Sequence, residues 1–209
     1  MKNKNIAIIL TAILICLAST TIISAQIDES KKTEVSAEYS YTHAPDLLFF
    51  SPQKLAQIPN ANNGWSTGAA HKLKKWVAVY VEVGQERGKM GDNYFTSTSN
   101  RTSILGGIRF YLVNKSRLKP FVNAGVGYVR LTFKTKFVGI PYIETPPIKN
   151  PLFAVGGGTD VAINKKISLR TGIEYRRIEV GSNSSYFNLN GNRNNGNAYR
   201  IHTGIVFHF

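Results

Sequence analysis

The sequence predicts an all-β chain: an eight-stranded antiparallel up-and-down transmembrane β-barrel. Three observations carry this. Eight segments of about ten residues, the length a tilted strand needs to cross a bilayer, alternate apolar and polar side chains with period two. The connections between them are alternately short and long. Beyond residue 25 no apolar run approaches the roughly 20 residues of a spanning helix, and a closed barrel is the other structure that can cross a membrane.

The chain has 209 residues, 43% hydrophobic and 18% charged, a composition that supports one packed domain and argues against disorder. At its start, Lys2 and Lys4 precede an apolar run over residues 6–18, closed by Ser19, Thr20, Thr21, Ser24 and Ala25. A basic head, a short apolar centre and a small-residue exit are the parts of a secretory signal. Cleavage is expected after Ala25, leaving 26–209 as one barrel domain. The single cysteine, Cys16, lies inside the apolar run behind Leu14 and Ile15, so neither a disulfide nor a lipid-modified cysteine is expected in the mature chain. Loss of Lys2 and Lys4 lowers the net charge from +14 to +12.

The first strand sets Val35, Ala37, Tyr39 and Tyr41 against Ser36, Glu38 and Ser40. Residues 65–73 make a weaker second, with Lys72 in its polar set. The third opposes Val77, Val79, Val81 and Val83 to Ala78, Tyr80, Glu82 and Gly84. The fourth opposes Ile104, Ile108, Phe110 and Leu112 to Gly107, Arg109 and Tyr111. Residues 121–133 alternate as far as Tyr128 and then lose phase at Val129 and Arg130, where a β-bulge is expected. The sixth and seventh strands cover 153–163 and 167–176, and the last covers 199–209. Short basic turns fall at Lys74-Lys75, 114–119 and 164–166. Long polar loops are expected over 43–64, 86–101, 134–150 and 181–198.

The two faces differ in kind. One carries Glu38, Lys72, Glu82, Arg109, Asp160, Arg170, Glu174, Arg176 and Arg200, with Glu34 at its edge, among many glycines. Charges of both signs mixed with glycine suit a crowded lumen, in which side chains pair across the barrel. The other face is aliphatic and aromatic, with Tyr41, Trp65, Trp76, Phe121, Tyr199 and Phe209 near strand ends, as in interfacial girdles. A soluble barrel of the lipocalin kind would turn that face inward.

The run from Pro120 and Phe121 to Tyr128, the segment Gly156-Gly157-Gly158-Thr159-Asp160-Val161 and the segment Ser168-Leu169-Arg170-Thr171-Gly172-Ile173-Glu174-Tyr175-Arg176 resemble the OmpA-like or opacity-type family of eight-stranded outer-membrane barrels. So does the final strand, and the resemblance spans the whole mature chain. It implies residence in the outer membrane of a Gram-negative-type bacterium as a monomer. It also implies a carboxy-terminal insertion signal in Tyr199, Ile201, Ile205, Phe207 and Phe209, read by the barrel assembly machinery. Outer-membrane lipid and lipopolysaccharide would be neighbours. The family includes adhesins, complement-resistance factors and structural barrels.

No catalytic, metal or cofactor site is expected. His202 and His208 share the lumen face but stand six residues apart, too far to act together at roughly 3.3 Å per residue. His43 and His71 lie elsewhere, His71 on the lipid-facing register beside a short turn, and Gly156-Gly157-Gly158 lacks the residues of a phosphate loop. The luminal charges could line an ion path or fill the lumen as a paired plug. An interior just wide enough for side chains favours the plug. Leu47, Leu48, Phe49 and Phe50, set among prolines in the first long loop, are either packed on the rim or a contact surface.

The expected role is non-catalytic: surface structure or adhesion through the outer loops, toward an extracellular ligand the sequence does not name. The alternatives, in order, are a small ion or solute channel, a lipid-A-modifying enzyme and a soluble lipocalin-like carrier. Nucleic acid is not an expected partner. Lys74, Lys75, Lys115, Arg117, Lys119, Lys165 and Lys166 fall in the short turns with no acid among them, so most of the excess charge faces periplasmic lipid headgroups.

Overall fold

The computed structural model describes residues 32–44, 61–91, 94–112, 116–139, 141, 143–144, 146–179 and 195–209. The expected signal over 1–25, the apolar patch Leu47, Leu48, Phe49 and Phe50, and most of the asparagine-rich stretch lie outside these residues.

Nine strands are present among them: β1 (Thr33–His43), β2 (Ala61–Lys74), β3 (Val77–Gly91), β4 (Phe95–Tyr111), β5 (Leu118–Phe137), β6 (Ile143–Glu144), β7 (Ile148–Ala162), β8 (Ile167–Glu179) and β9 (Asn195–His208). Eight of them form one antiparallel meander that closes when β1 pairs with β9. The two-residue β6 adds only to the far end of β5, through Lys134 and Thr135. Closure leaves no barrel edge, so every wall strand finds ladder partners on both sides.

Burial alternates strictly along β1, with Glu34, Ser36, Glu38, Ser40 and Thr42 inside and Val35, Ala37, Tyr39 and Tyr41 outside. The exterior is a continuous apolar belt that includes Val79, Val81, Val83, Ile104, Ile108, Phe110, Val122, Val126, Val155, Ile173, Ile201 and Ile205, all exposed. A protein in water does not leave so large an apolar surface bare. Polar groups inside, apolar groups outside and a closed ladder make this a barrel whose solvent is lipid.

Three expectations are corrected. No bulge occurs at Val129 and Arg130: β5 keeps one register against β4 and β7 throughout, and among the described residues the register shifts between Lys72 and Lys74 in the β2–β3 ladder. The apparent loss of phase is an inversion of polarity. Beyond Tyr128 the exterior turns polar at Arg130 and Lys134 as it leaves the bilayer. The interior turns apolar at Val129, Leu131 and Phe133.

Among the described residues, the expected loops over 86–101 and 134–150 are also largely strand. β3 and β4 run to Gly91 and from Phe95, β5 runs to Phe137, and β7 begins at Ile148. These outer segments are rich in Thr and Ser, which hold a pleated strand without an apolar face and so lack the alternation that marks a membrane crossing. Finally, Phe121 is not in the girdle. It shares the inward register of Asn123 and is 3% exposed.

Candidate functional site: the luminal charge network

The ladder itself sets up the ion pairs. Asp160 lies opposite Arg170 and Glu174 opposite Arg200, each an ion pair on the inward face, whereas Glu86, opposite Arg101, pairs with Arg176 at 3.7 Å and Arg200 at 3.9 Å. Opposite charges so placed attract directly across the strands, and the narrow bore then brings distant strands within reach.

Toward the short-turn end, Arg170 donates to both carboxylate oxygens of Asp160, at 2.7 and 2.8 Å. It also reaches Glu34 at 3.2 Å and Glu38 at 3.6 Å. Glu34 takes Lys72 at 2.9 Å and accepts the Tyr111 hydroxyl at 2.7 Å. Arg109 stands 3.9 Å from Glu34, and its guanidinium is held over Tyr80 and Phe121 at 5.0 and 4.9 Å. Arg170 covers the same Phe121 ring at 5.1 Å, so one buried aromatic serves two cations. A buried cation over a ring gains roughly 0.5–2 kcal/mol.

Nearer the outer end, Glu82 accepts from Arg200 at 2.8 Å and from Arg176 at 3.0 Å. Glu174 binds Arg176 at 2.6 Å and takes Asn123 at 3.2 Å. Arg200 also donates to Ser66 at 2.6 Å, and Thr42 donates to Glu86 at 2.8 Å. Glu38 is paired with His202 at 2.5 Å, and Asn123 links the two tiers, donating to Glu174 and, at 3.4 Å, to the Tyr80 hydroxyl whose ring lies under Arg109. His202 fits because Gly172 faces it: a Cβ there would stand 2.5 Å from Nε2.

All nine predicted luminal residues therefore meet in one network. The inner tier sets Glu34, Glu38 and Asp160 against Lys72, Arg109 and Arg170. The outer tier sets Glu82, Glu86 and Glu174 against Arg101, Arg176 and Arg200. Lys119, half-buried opposite Asp160, adds a cation at the turn-end rim. Glu86 and Arg101 were expected in an outer loop. Their only sequence signal was register, visible once β3 and β4 are known to continue.

Between the tiers, Glu34, Ser36, Tyr80, Glu82, Arg109 and Arg170 line a cavity with room for about one water molecule. At the level of the outer tier and past it, Leu105, Val129, Leu131, Phe133, Leu152 and Ile178 are buried together on β4, β5, β7 and β8, with Leu105 opposite Glu82 and Leu131 opposite Arg101. The lumen is thus filled with charge in its middle, and its outer end is apolar on the β5, β7 and β8 side and lined by Asn62, Ser97 and Ser99 on the β2 and β4 side.

One constellation escaped the sequence. Ser168 Oγ lies 2.8 Å from His208 Nε2, and His208 Nδ1 lies 3.6 Å from Glu34. The order resembles a hydrolytic triad: the β8–β9 ladder brings Ser168 to His208, and the β1–β9 closure sets Glu34 opposite His208. Ser168 is 0% exposed and His208 2%, so no acyl ester can approach the hydroxyl. Among the described residues no group of His, Cys, Asp or Glu could hold a metal ion. The last-strand residues Tyr199, Ile201, Ile205, Phe207 and Phe209 all point outward and are exposed.

No protein-family model and no curated sequence matches the chain. Solved structures do. Ail, the attachment invasion locus protein of Yersinia pestis, solved with the heparin analogue sucrose octasulfate, superposes with a TM-score of 0.56 at 12% identity, over 86% of this chain and 99% of that one. OprG of Pseudomonas aeruginosa gives 0.53 at 10% identity, over 90% and 99%. Neisserial surface protein A gives 0.52 at 16% identity, over 85% and 97%. At such identities the likeness speaks for the fold, and it agrees with the apolar exterior and the polar, closed interior. By fold, this chain is an eight-stranded outer-membrane β-barrel.

Proposed function

We propose that the chain is a non-catalytic surface protein of the outer membrane, structural or adhesive, which meets its partners through the strand hairpins that stand beyond the lipid belt. One observation carries this reading: the lumen is filled by charged side chains with Leu131, Leu152 and Ile178 packed beside them, while the β3–β4 and β5–β7 hairpins run on past the apolar belt. A barrel that passes nothing through its centre and holds its nucleophile inaccessible has its outer surface left to act with.

Lipopolysaccharide and outer-membrane lipid are its neighbours in this reading, and the assembly machinery is its partner during insertion, through the outward residues of β9. The barrel acts as a monomer. The extracellular ligand is of unassigned class. A heparin-like polyanion is a first probe, given the exposed Arg87, Lys89, Lys134 and Lys136 on the outer hairpins.

The test is attachment of cells displaying the barrel to heparin-coated and fibronectin-coated surfaces. Shortening the two hairpins, by deleting 88–99 in one variant and 132–147 in another, should abolish attachment while the barrel still shifts on heating in SDS gels. Attachment that survives both deletions would sink the proposal.

A further inference from the structure

The outer border of the lipid belt is asymmetric. On the wall strands the exterior apolar column ends at Tyr41, Trp65, Val83, Ile104, Tyr128, Pro151, Tyr175 and Tyr199. The next exterior residue is His43 on β1, Asn63 on β2, Gln85 on β3, Thr102 on β4 and Asn197 on β9. On β5, β7 and β8 it is Arg130, Lys149 and Arg177. Lys and Arg in this first polar ring are confined to three consecutive strands.

Arg130 and Lys149 are direct ladder partners, both exposed. Like charges directly opposite one another destabilise a ladder, and nothing among the described residues offsets them. Neither they nor Arg177 takes an ion pair or a side-chain hydrogen bond there. Glu179, two residues beyond Arg177, is the nearby acid on this wall, and Glu144 is already held by Lys134 at 3.0 Å.

We propose that Arg130, Lys149 and Arg177 form a lateral site for the phosphate of a lipid in the surrounding outer leaflet, a phosphorylated glycolipid of the lipopolysaccharide type. The direction of the side chains selects a lipid. They leave the wall sideways, directly above Tyr128, Pro151 and Tyr175, so their stems continue the lipid-facing surface and their heads stand at headgroup depth. Two guanidinium forks and an ammonium match the several acceptor oxygens of a phosphate, and the bound anion relieves the Arg130–Lys149 repulsion. A soluble polyanion arriving from outside would meet the hairpin ends first. The site depends on the surface-protein reading only for the orientation of the barrel.

The test compares the full chain with R130Q/K149Q/R177Q in phosphatidylcholine nanodiscs doped with diphosphoryl lipid A, counting retained lipid A by native mass spectrometry. K74Q/K75Q/K165Q, which removes the same charge at the opposite rim, is the control. Each cation near the surface changes affinity about fivefold, so the triple variant should lose roughly a hundredfold in preference for lipid A.

The control should keep its preference, dephosphorylated lipid A should not be enriched, and excess inorganic phosphate should not displace bound lipid A. Equal retention by the triple variant and the unaltered chain, equal loss in the control, or displacement by inorganic phosphate would each overturn the proposal. Should the triple variant fail to fold, Lys149→Glu replaces the like pair with an opposite one. It should lower retention while the barrel stays folded, and unchanged retention counts against the site. Cell attachment is a separate readout, so failure of the lipid site and failure of the hairpin reading remain distinguishable.

Discussion

Arg170→Met removes the cation at the centre of the inner tier. The guanidinium is 1% exposed and serves three carboxylates: Asp160 at 2.7 Å, Glu34 at 3.2 Å and Glu38 at 3.6 Å. Glu34 keeps Lys72 and the Tyr111 hydroxyl, and Glu38 keeps His202. Asp160 loses both of its guanidinium hydrogen bonds while still buried. Breaking a buried pair from one side costs about 3–5 kcal/mol, most of it from the charge left unpaired.

Loss of the contact with Phe121 adds roughly 1 kcal/mol, so the destabilisation should be about 5 kcal/mol. In R170M/D160L the uncompensated carboxylate goes as well. Replacing a whole buried pair by apolar groups is often close to neutral, and the double variant should return to within about 2 kcal/mol of the unaltered chain. Urea unfolding in phosphatidylcholine vesicles, followed by tryptophan fluorescence and the SDS-gel shift, measures both. A loss below about 1 kcal/mol in the single variant, or no recovery in the double, would refute the reasoning.

Three further substitutions probe the same interior. Gly172→Ala drives a methyl group into the His202 ring, which a Cβ would approach to 2.5 Å, and should cost about 1–3 kcal/mol in the same urea titration. Phe121→Leu takes away the ring shared by Arg109 and Arg170. It should destabilise by about 1–3 kcal/mol, with a smaller loss if Arg109 is already Met. Ser168→Ala removes a buried hydrogen bond to His208. It should lower stability by about 1 kcal/mol and leave lipid-A acylation unchanged when the barrel is expressed. A change in acylation would revive the enzymatic reading.

Strand existence and inward register could be read directly from the chain, because a period of two across a bilayer admits no slip without exchanging the faces. Glu38 and Ser40 against Tyr39 and Tyr41 already say which side is wet. What could not be read is everything that depends on partners far apart in sequence. Glu34 meets His208 and Arg170 only because β1 closes on β9.

The outer hairpins were hidden for another reason. Beyond the bilayer both faces of β4 are hydroxyl-rich and the interior of β5 is apolar, so the pattern that marks a crossing fades or inverts while the ladder continues. Arg101 and Glu86 were misplaced with it. Phe121 was misplaced because an aromatic near a strand end reads as a girdle residue, until its register with Asn123 is followed.

The claim on which the functional reading rests is that the bore is closed by its own paired charges. Single-channel recording of the folded, unaltered barrel in planar bilayers bathed in molar potassium chloride tests it most directly. A bore filled by Arg170, Arg176, Arg200 and their carboxylates, with Leu131, Leu152 and Ile178 packed beside them, should give no discrete conductance steps. Sustained steps from protein that runs as a folded monomer would contradict it and make the channel reading the better one.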